Sequence, residues 1–244
     1  MDAGHILIIV TIALYSLGSV GVLLWFWWRV RPKLPSALAT GIVVVFAFFV
    51  VFSIELILAF AIAPTERTTA IPIKQAFKIS ITEETVKILI VSLGLFIARD
   101  DSHWTDTKLT LALIAGLVFG VSEGIVYAAN RHYTPLNLVI LFTTRTYHAV
   151  LTVTLMAGLI LVLKGRKLTG TLIAVSPYLT HAFFDYFVSL RNYVGASVML
   201  ILTFALFLAG VYLLLPVIEE EKRTREKFRH EATVNIEDHW LKKM

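Results

Sequence analysis

Ionisable side chains stand inside four of the long apolar stretches of this chain. Glu83, Glu84 and Lys87 share the run EETVK, Glu123 ends FGVSE, Arg145 and His148 bound RTYH, and His181 and Asp185 bound HAFFD. A carboxylate beside a water-filled space can take a proton from water, and an imidazole can ligate a metal or donate to an oxyanion. Together they suit hydrolysis of a carbonyl substrate. The same groups could instead serve a proton- or ion-coupled membrane transporter, and periodicity does not separate the two readings. In either case an ionisable group at membrane depth costs a few kcal/mol, so it persists where it pairs, lines water or does chemistry.

Local spacing puts these groups on shared helix faces. Glu83 and Lys87 are four apart and Glu84 and Lys87 three apart, so one acid can pair with the lysine while its neighbour points elsewhere. Phe119, Glu123 and Tyr127 follow at intervals of four, as do His181 and Asp185, whose carboxylate can orient the imidazole and fix its tautomer. Gly116, Gly120 and Gly124 form a small-residue ridge that lets another helix approach beside Glu123. Pro177, four before His181, frees the carbonyl of Ile173 and can kink its helix next to the polar groups. Glu55 is a deeper, solitary acid suited to bonding a neighbouring helix. His5, His103, His132, His230 and His239 fall at span ends, in loops or in the tail and read as surface residues. Gly120, Ser122 and Gly124 match GxSxG, but a nucleophile elbow needs a strand-turn-helix corner and this match lies inside a long helix.

The elements that carry these residues read as transmembrane helices. Hydrophobic residues make up 57% of the 244 and charged residues 16%, with a mean hydropathy of +0.79, a composition outside that of soluble domains. Apolar runs reach the roughly 20 residues needed to cross a ~30 Å hydrocarbon core, without the alternation of barrel strands. Seven spans follow, at about 6–28, 37–62, 76–98, 109–129, 136–163, 171–190 and 194–217. The first has no basic leader or small-residue cleavage signal and runs into Arg29, Arg31 and Lys33, so it reads as an uncleaved span.

With the first connection inside, 15 basic residues flank the inner side and 5 the outer. That bias places the N-terminus outside and the C-terminus in the cytoplasm, with Trp25, Trp27 and Trp28 at the inner interface. The expected fold class is an all-α, multi-pass bundle in the cell membrane over 1–218, followed by a charged cytoplasmic tail over 219–244 that forms a solvated helix or a frayed end. In this frame the polar groups of spans three to six share one layer about 7 to 18 Å from the outer end, while spans one, two and seven support them. There is no cysteine, which removes thiol catalysis, thiolate ligation and disulfides. The net charge of +5 resides in loops and tail, pointing to lipid head groups and topology, with no nucleic acid as partner.

Taken in order on successive spans, EExxK, FxxxE, a histidine and HxxxD resemble the PrsW family of intramembrane proteases, distant relatives of the CAAX-processing and bacteriocin-immunity membrane proteases. The matched positions are Glu83, Glu84 and Lys87, then Phe119 and Glu123, then His148, then His181 and Asp185. The resemblance covers residues 82–185, and its specificity lies in the combination. It implies cleavage of a peptide bond in a single-span membrane protein near the outer face, as when such proteases trim an anti-sigma factor. It further implies Glu83 or Glu84 as general base, His148 and His181 as metal ligands or oxyanion donors, Asp185 as orienter and Glu123 as second acid or ligand. Lys87, Arg145 and Phe119 would support them. A divalent metal such as zinc would be held by His148, His181, Glu84 and Glu123. Where many members carry Asn after the second-motif acid, this chain carries Gly124.

Overall fold

The computed structural model describes residues 10, 18, 20, 21, 23–30, 35–61, 71–98, 102–130 and 145–241, and for residues 52, 54–61, 127, 130 and 229–241 the backbone alone. Among the described residues every regular element is a helix. A helical stretch over 23–30 precedes α1 (Ala37–Ala61), α2 (Ile73–Ile97), α3 (Thr105–Asn130), α4 (Thr146–Leu163), α5 (Lys167–Ser189) and α6 (Tyr193–Leu241). Most of the first expected span and residues 136–144 of the fifth lie outside the described residues, as do the side chains of Glu55 and Tyr127.

Among the described residues, three segments are long and apolar enough to cross a membrane: Thr105–Val126, Thr146–Leu163 and Tyr193–Phe228, with Ala37–Val51 a shorter apolar segment. α2 has 25 residues, about 37 Å at the rise of an α-helix. Its length suffices, but Lys74, Lys78, Glu83, Glu84 and Lys87 give it more charge along its apolar stretch than the other three carry in theirs. Large apolar side chains such as Phe49, Leu89, Phe96 and Ile201 face outward from the bundle, as a lipid-facing surface requires.

α4 is the central post. Fourteen of its eighteen residues are buried, and it packs against α3, α5 and α6, while α2 packs mainly on α5. Small residues permit this closeness. A Cβ added at Gly116 of α3 would lie 2.5 Å from the Ala149 Cα and 2.6 Å from the His148 carbonyl oxygen, and one at Gly120 would strike the Arg145 carbonyl. The expected ridge thus seats α3 on the first turn of α4, the turn that carries His148. Overpacking such a contact costs about 1–3 kcal/mol. Gly116→Val is therefore expected to lower the melting temperature of the detergent-solubilised protein by several degrees. Gly41→Ala, where an added Cβ meets none of the described residues within 4 Å, should leave it in place. Equal melting temperatures for the two variants would contradict the seating.

α5 continues across Pro177, and the Ile173 carbonyl left without its helical donor accepts the Ser176 hydroxyl at 2.8 Å. α6 likewise continues across Pro216 and through the charged segment. That segment does more than meet solvent. Glu221 accepts from the Thr105 backbone N–H (2.7 Å) and hydroxyl (2.9 Å) at the start of α3, and from Lys164 (3.0 Å) in the α4–α5 turn. Arg225 donates to Asp106 (2.9 Å) and stacks on Trp104. Arg29 pairs with Glu219, and Lys222 donates to the Val30 carbonyl. At the opposite end, the Ile71 backbone N–H donates to Ser189 (3.1 Å), joining the start of α2 to the close of α5.

Candidate active site

Four helices converge on one buried polar network. α2 contributes Glu83, Glu84 and Lys87 (7%, 0% and 0% exposed), α3 Phe119 and Glu123, α4 His148 with Arg145 at its N-cap, and α5 His181 and Asp185. Every site residue read from the sequence is brought here.

The lysine organises the centre. Lys87 Nζ lies 2.7 Å from Glu84 Oε1, 2.9 Å from His148 Nδ1 and 3.7 Å from Glu83 Oε2, and 4.3 Å from the centroid of the Phe119 ring. An ammonium is a donor only, so His148 Nδ1 accepts and its Nε2–H donates to Glu123 Oε2 at 2.7 Å. Glu123 also accepts from Arg145 Nη1 at 2.7 Å. His148 is thereby held in one tautomer by groups from two other helices. His181 donates from Nδ1 to Glu84 Oε1 at 2.8 Å, which leaves its Nε2 3.4 Å from Asp185 Oδ2 and 3.9 Å from Glu83 Oε2.

The two acids of EETVK differ. Glu84 Oε1 carries two close hydrogen bonds and the residue has no exposed surface. Glu83 Oε2 is buried with no hydrogen-bond partner, and Glu83 lines a groove of about 540 Å³ with Thr82, Ile79 and Lys78. Glu83 thus has a carboxylate oxygen available for a reacting proton.

Donor chemistry suits a divalent ion as well. Glu83, Glu84, His148 and His181 each offer one ligand atom, and these lie within 4.8 Å of one another. Glu83 Oε2 and Glu84 Oε2 are orphaned, and carboxylate oxygens with imidazole nitrogens are the donors of protein zinc sites. Glu123 stands outside this group of four, its carboxylate engaged with Arg145 and His148.

Some participants were invisible to the sequence. The Tyr147 ring stands edge-on to His181 at 6.0 Å between centroids, and its hydroxyl meets Thr203 Oγ1 of α6 at 3.3 Å. α6 thus touches a residue that contacts the site, though among the described residues it bears no ionisable group of the network. Its only signal was adjacency to His148. Ser122, the GxSxG match, donates to the Val118 carbonyl within α3 at 2.7 Å, as a helical serine does. His103 is exposed beside Trp104, a surface residue as expected.

The model of one protein family matches residues 31–212, described as the PrsW family of intramembrane metalloproteases. No curated protein and no solved structure matches the chain. That match covers well over half of the chain and takes in all four helices that build the acid-histidine network. The chain therefore belongs to the PrsW family of intramembrane metalloproteases, enzymes that sit in the bilayer and cut membrane proteins.

Proposed function

We propose that this protease hydrolyses a peptide bond of a single-span membrane protein near the outer face of the cell membrane, with Glu83 as the base that activates water. The observation that carries the assignment is that Glu83, unlike Glu84, lines the open groove while its Oε2 has no hydrogen-bond partner. Glu83 takes a proton from water as the water oxygen bonds to the scissile carbonyl carbon. The same proton then goes to the amide nitrogen as the C–N bond breaks, giving a carboxyl and an amine. Glu84 positions His181 through Nδ1, and Glu123 positions His148 through Nε2. Glu84, His148 and His181 would hold a divalent ion such as zinc, His148 through Nδ1 in place of its hydrogen bond from Lys87, with Glu83 on the groove side. When bound, such an ion supplies Lewis-acid polarisation of the carbonyl and acidified water. Asp185 borders His181 at 3.4 Å and orients its other face.

The topology belongs to the same proposal: seven spans, N-terminus outside, residues 1–218 in the bundle and 219–244 a charged cytoplasmic tail. Supporting it, four segments assigned to the inner side by their basic residues meet at one end of the bundle, through Val30, Thr105, Lys164 and Glu221. In that orientation the polar network falls in the outer half.

The test is reconstitution in liposomes with a library of single-span peptides, with metal content measured on the same preparation. Expected are cleavage of some peptides, its loss in His181→Ala, and a bound divalent metal that His181→Ala also loses. Single cysteines introduced at positions 74 and 227 into this cysteine-free chain should label from opposite sides. Uptake driven by a pH gradient with no peptide cut would favour the carrier chemistry and overturn the proposal.

A further inference from the structure

The groove at Glu83 has a direction and a charge. It runs along the N-terminal half of α2, where two adjacent stripes of side chains line it: Gln75, Ile79 and Glu83, and beside them Lys74, Lys78 and Thr82. Within each stripe the residues are four apart, so each follows the helix axis. Lys74 and Lys78 are exposed, and neither is ion-paired among the described residues. Thr82 Oγ1 donates to the Lys78 carbonyl at 2.8 Å, which leaves its lone pairs toward the groove free to accept. Glu83, five residues beyond Lys78, also lines it, and its buried Oε2 has no hydrogen-bond partner.

From these features we infer that the groove binds an extended segment of the substrate and that Lys74 and Lys78 select a carboxylate side chain in it, about two to four residues from the scissile bond. The inference rests on the assignment of Glu83 as base. Lys78 lies five residues and Lys74 nine residues before Glu83, about 7.5 and 13.5 Å along the helix. An extended peptide advances about 3.3 Å per residue, so these distances correspond to roughly two and four substrate residues. Charge complementarity fixes the occupant: an acidic side chain meets the two ammonium groups that line the groove, where a basic one meets repulsion.

The test is an aspartate scan. A single-span peptide that the reconstituted enzyme cuts is made with Asp at each of the six positions on either side of the scissile bond, with Ala and Lys at the same positions. The expected result is a peak in kcat/KM for Asp over Ala, about three- to tenfold, at two to four residues on one side only, falling with added salt. In Lys74→Glu/Lys78→Glu the Asp-to-Lys ratio at those positions should invert. Lys78→Gln should give an intermediate ratio, and both readouts are ratios that a general loss of activity does not move. A flat Asp profile with cleavage intact overturns the inference and leaves the protease assignment standing. The same holds if the lysine variants change only the dependence on anionic lipid, equally for all peptides, since that would assign the lysines to head groups. Absence of cleavage of any peptide overturns the protease assignment and this inference with it.

Discussion

Glu83→Gln is expected to lower kcat for peptide cleavage by about 10²- to 10⁴-fold, the usual contribution of a positioned base, while the protein stays folded. The substitution is isosteric, and Glu83 Oε2 has no hydrogen-bond partner to lose, its nearest cation being Lys87 at 3.7 Å. Glu84→Gln makes the contrast. It replaces a carboxylate oxygen that accepts from Lys87 at 2.7 Å and from His181 at 2.8 Å, so it should lower both activity and melting temperature. Turnover and thermal unfolding measured on both variants decide between the acids. Retention of more than a tenth of wild-type turnover by Glu83→Gln would remove it from the role of base.

Lys87→Met should be the most destabilising single change in the molecule. The ammonium is fully buried, and its removal leaves Glu84 with His181 as its sole close partner among the described residues. Breaking a buried ion pair from one side typically costs about 3–5 kcal/mol, which for a chain of this size lowers the melting temperature by roughly 6–20 °C. The double variant Glu84→Gln/Lys87→Met removes both charges and should recover part of that loss. The cycle of wild type, two single variants and the double variant isolates the coupling. A double variant as unstable as the sum of the singles would show that the two residues act independently, against the geometry.

How much of this was legible in the sequence depends on the range of each contact. The pairing within EETVK was readable because i,i+3 and i,i+4 neighbours must meet on a helix, and Lys87 in fact reaches both acids. HxxxD was readable in part: Asp185 does face His181 at 3.4 Å, but the closer partner is Glu84, 97 residues away. The bonds from Lys87 to His148 and from Arg145 to Glu123 were not readable, because hydropathy says that helices share a bilayer without saying which faces meet. The glycine ridge came closest to supplying that information, since a stripe without side chains announces where a neighbour must approach, and Gly116 and Gly120 do receive α4. The tail shows the opposite case. Alternating charge predicts solvent, yet Glu221 and Arg225, one turn apart, find the start of α3, a match that no local pattern encodes.

The buried network also has a formal valence. Among the described residues it holds four carboxylates, Glu83, Glu84, Glu123 and Asp185, against two fixed cations, Lys87 and Arg145. In a medium of low polarity such an imbalance is costly, so the layer is short of two positive charges. Protons taken up by His181, or by the carboxylates whose oxygens lack hydrogen-bond partners, reduce that deficit. A single divalent ion supplies the same two charges at once. Metal binding and proton uptake are thus alternative ways of neutralising one deficit, so each proton the layer takes up weakens the hold on an ion.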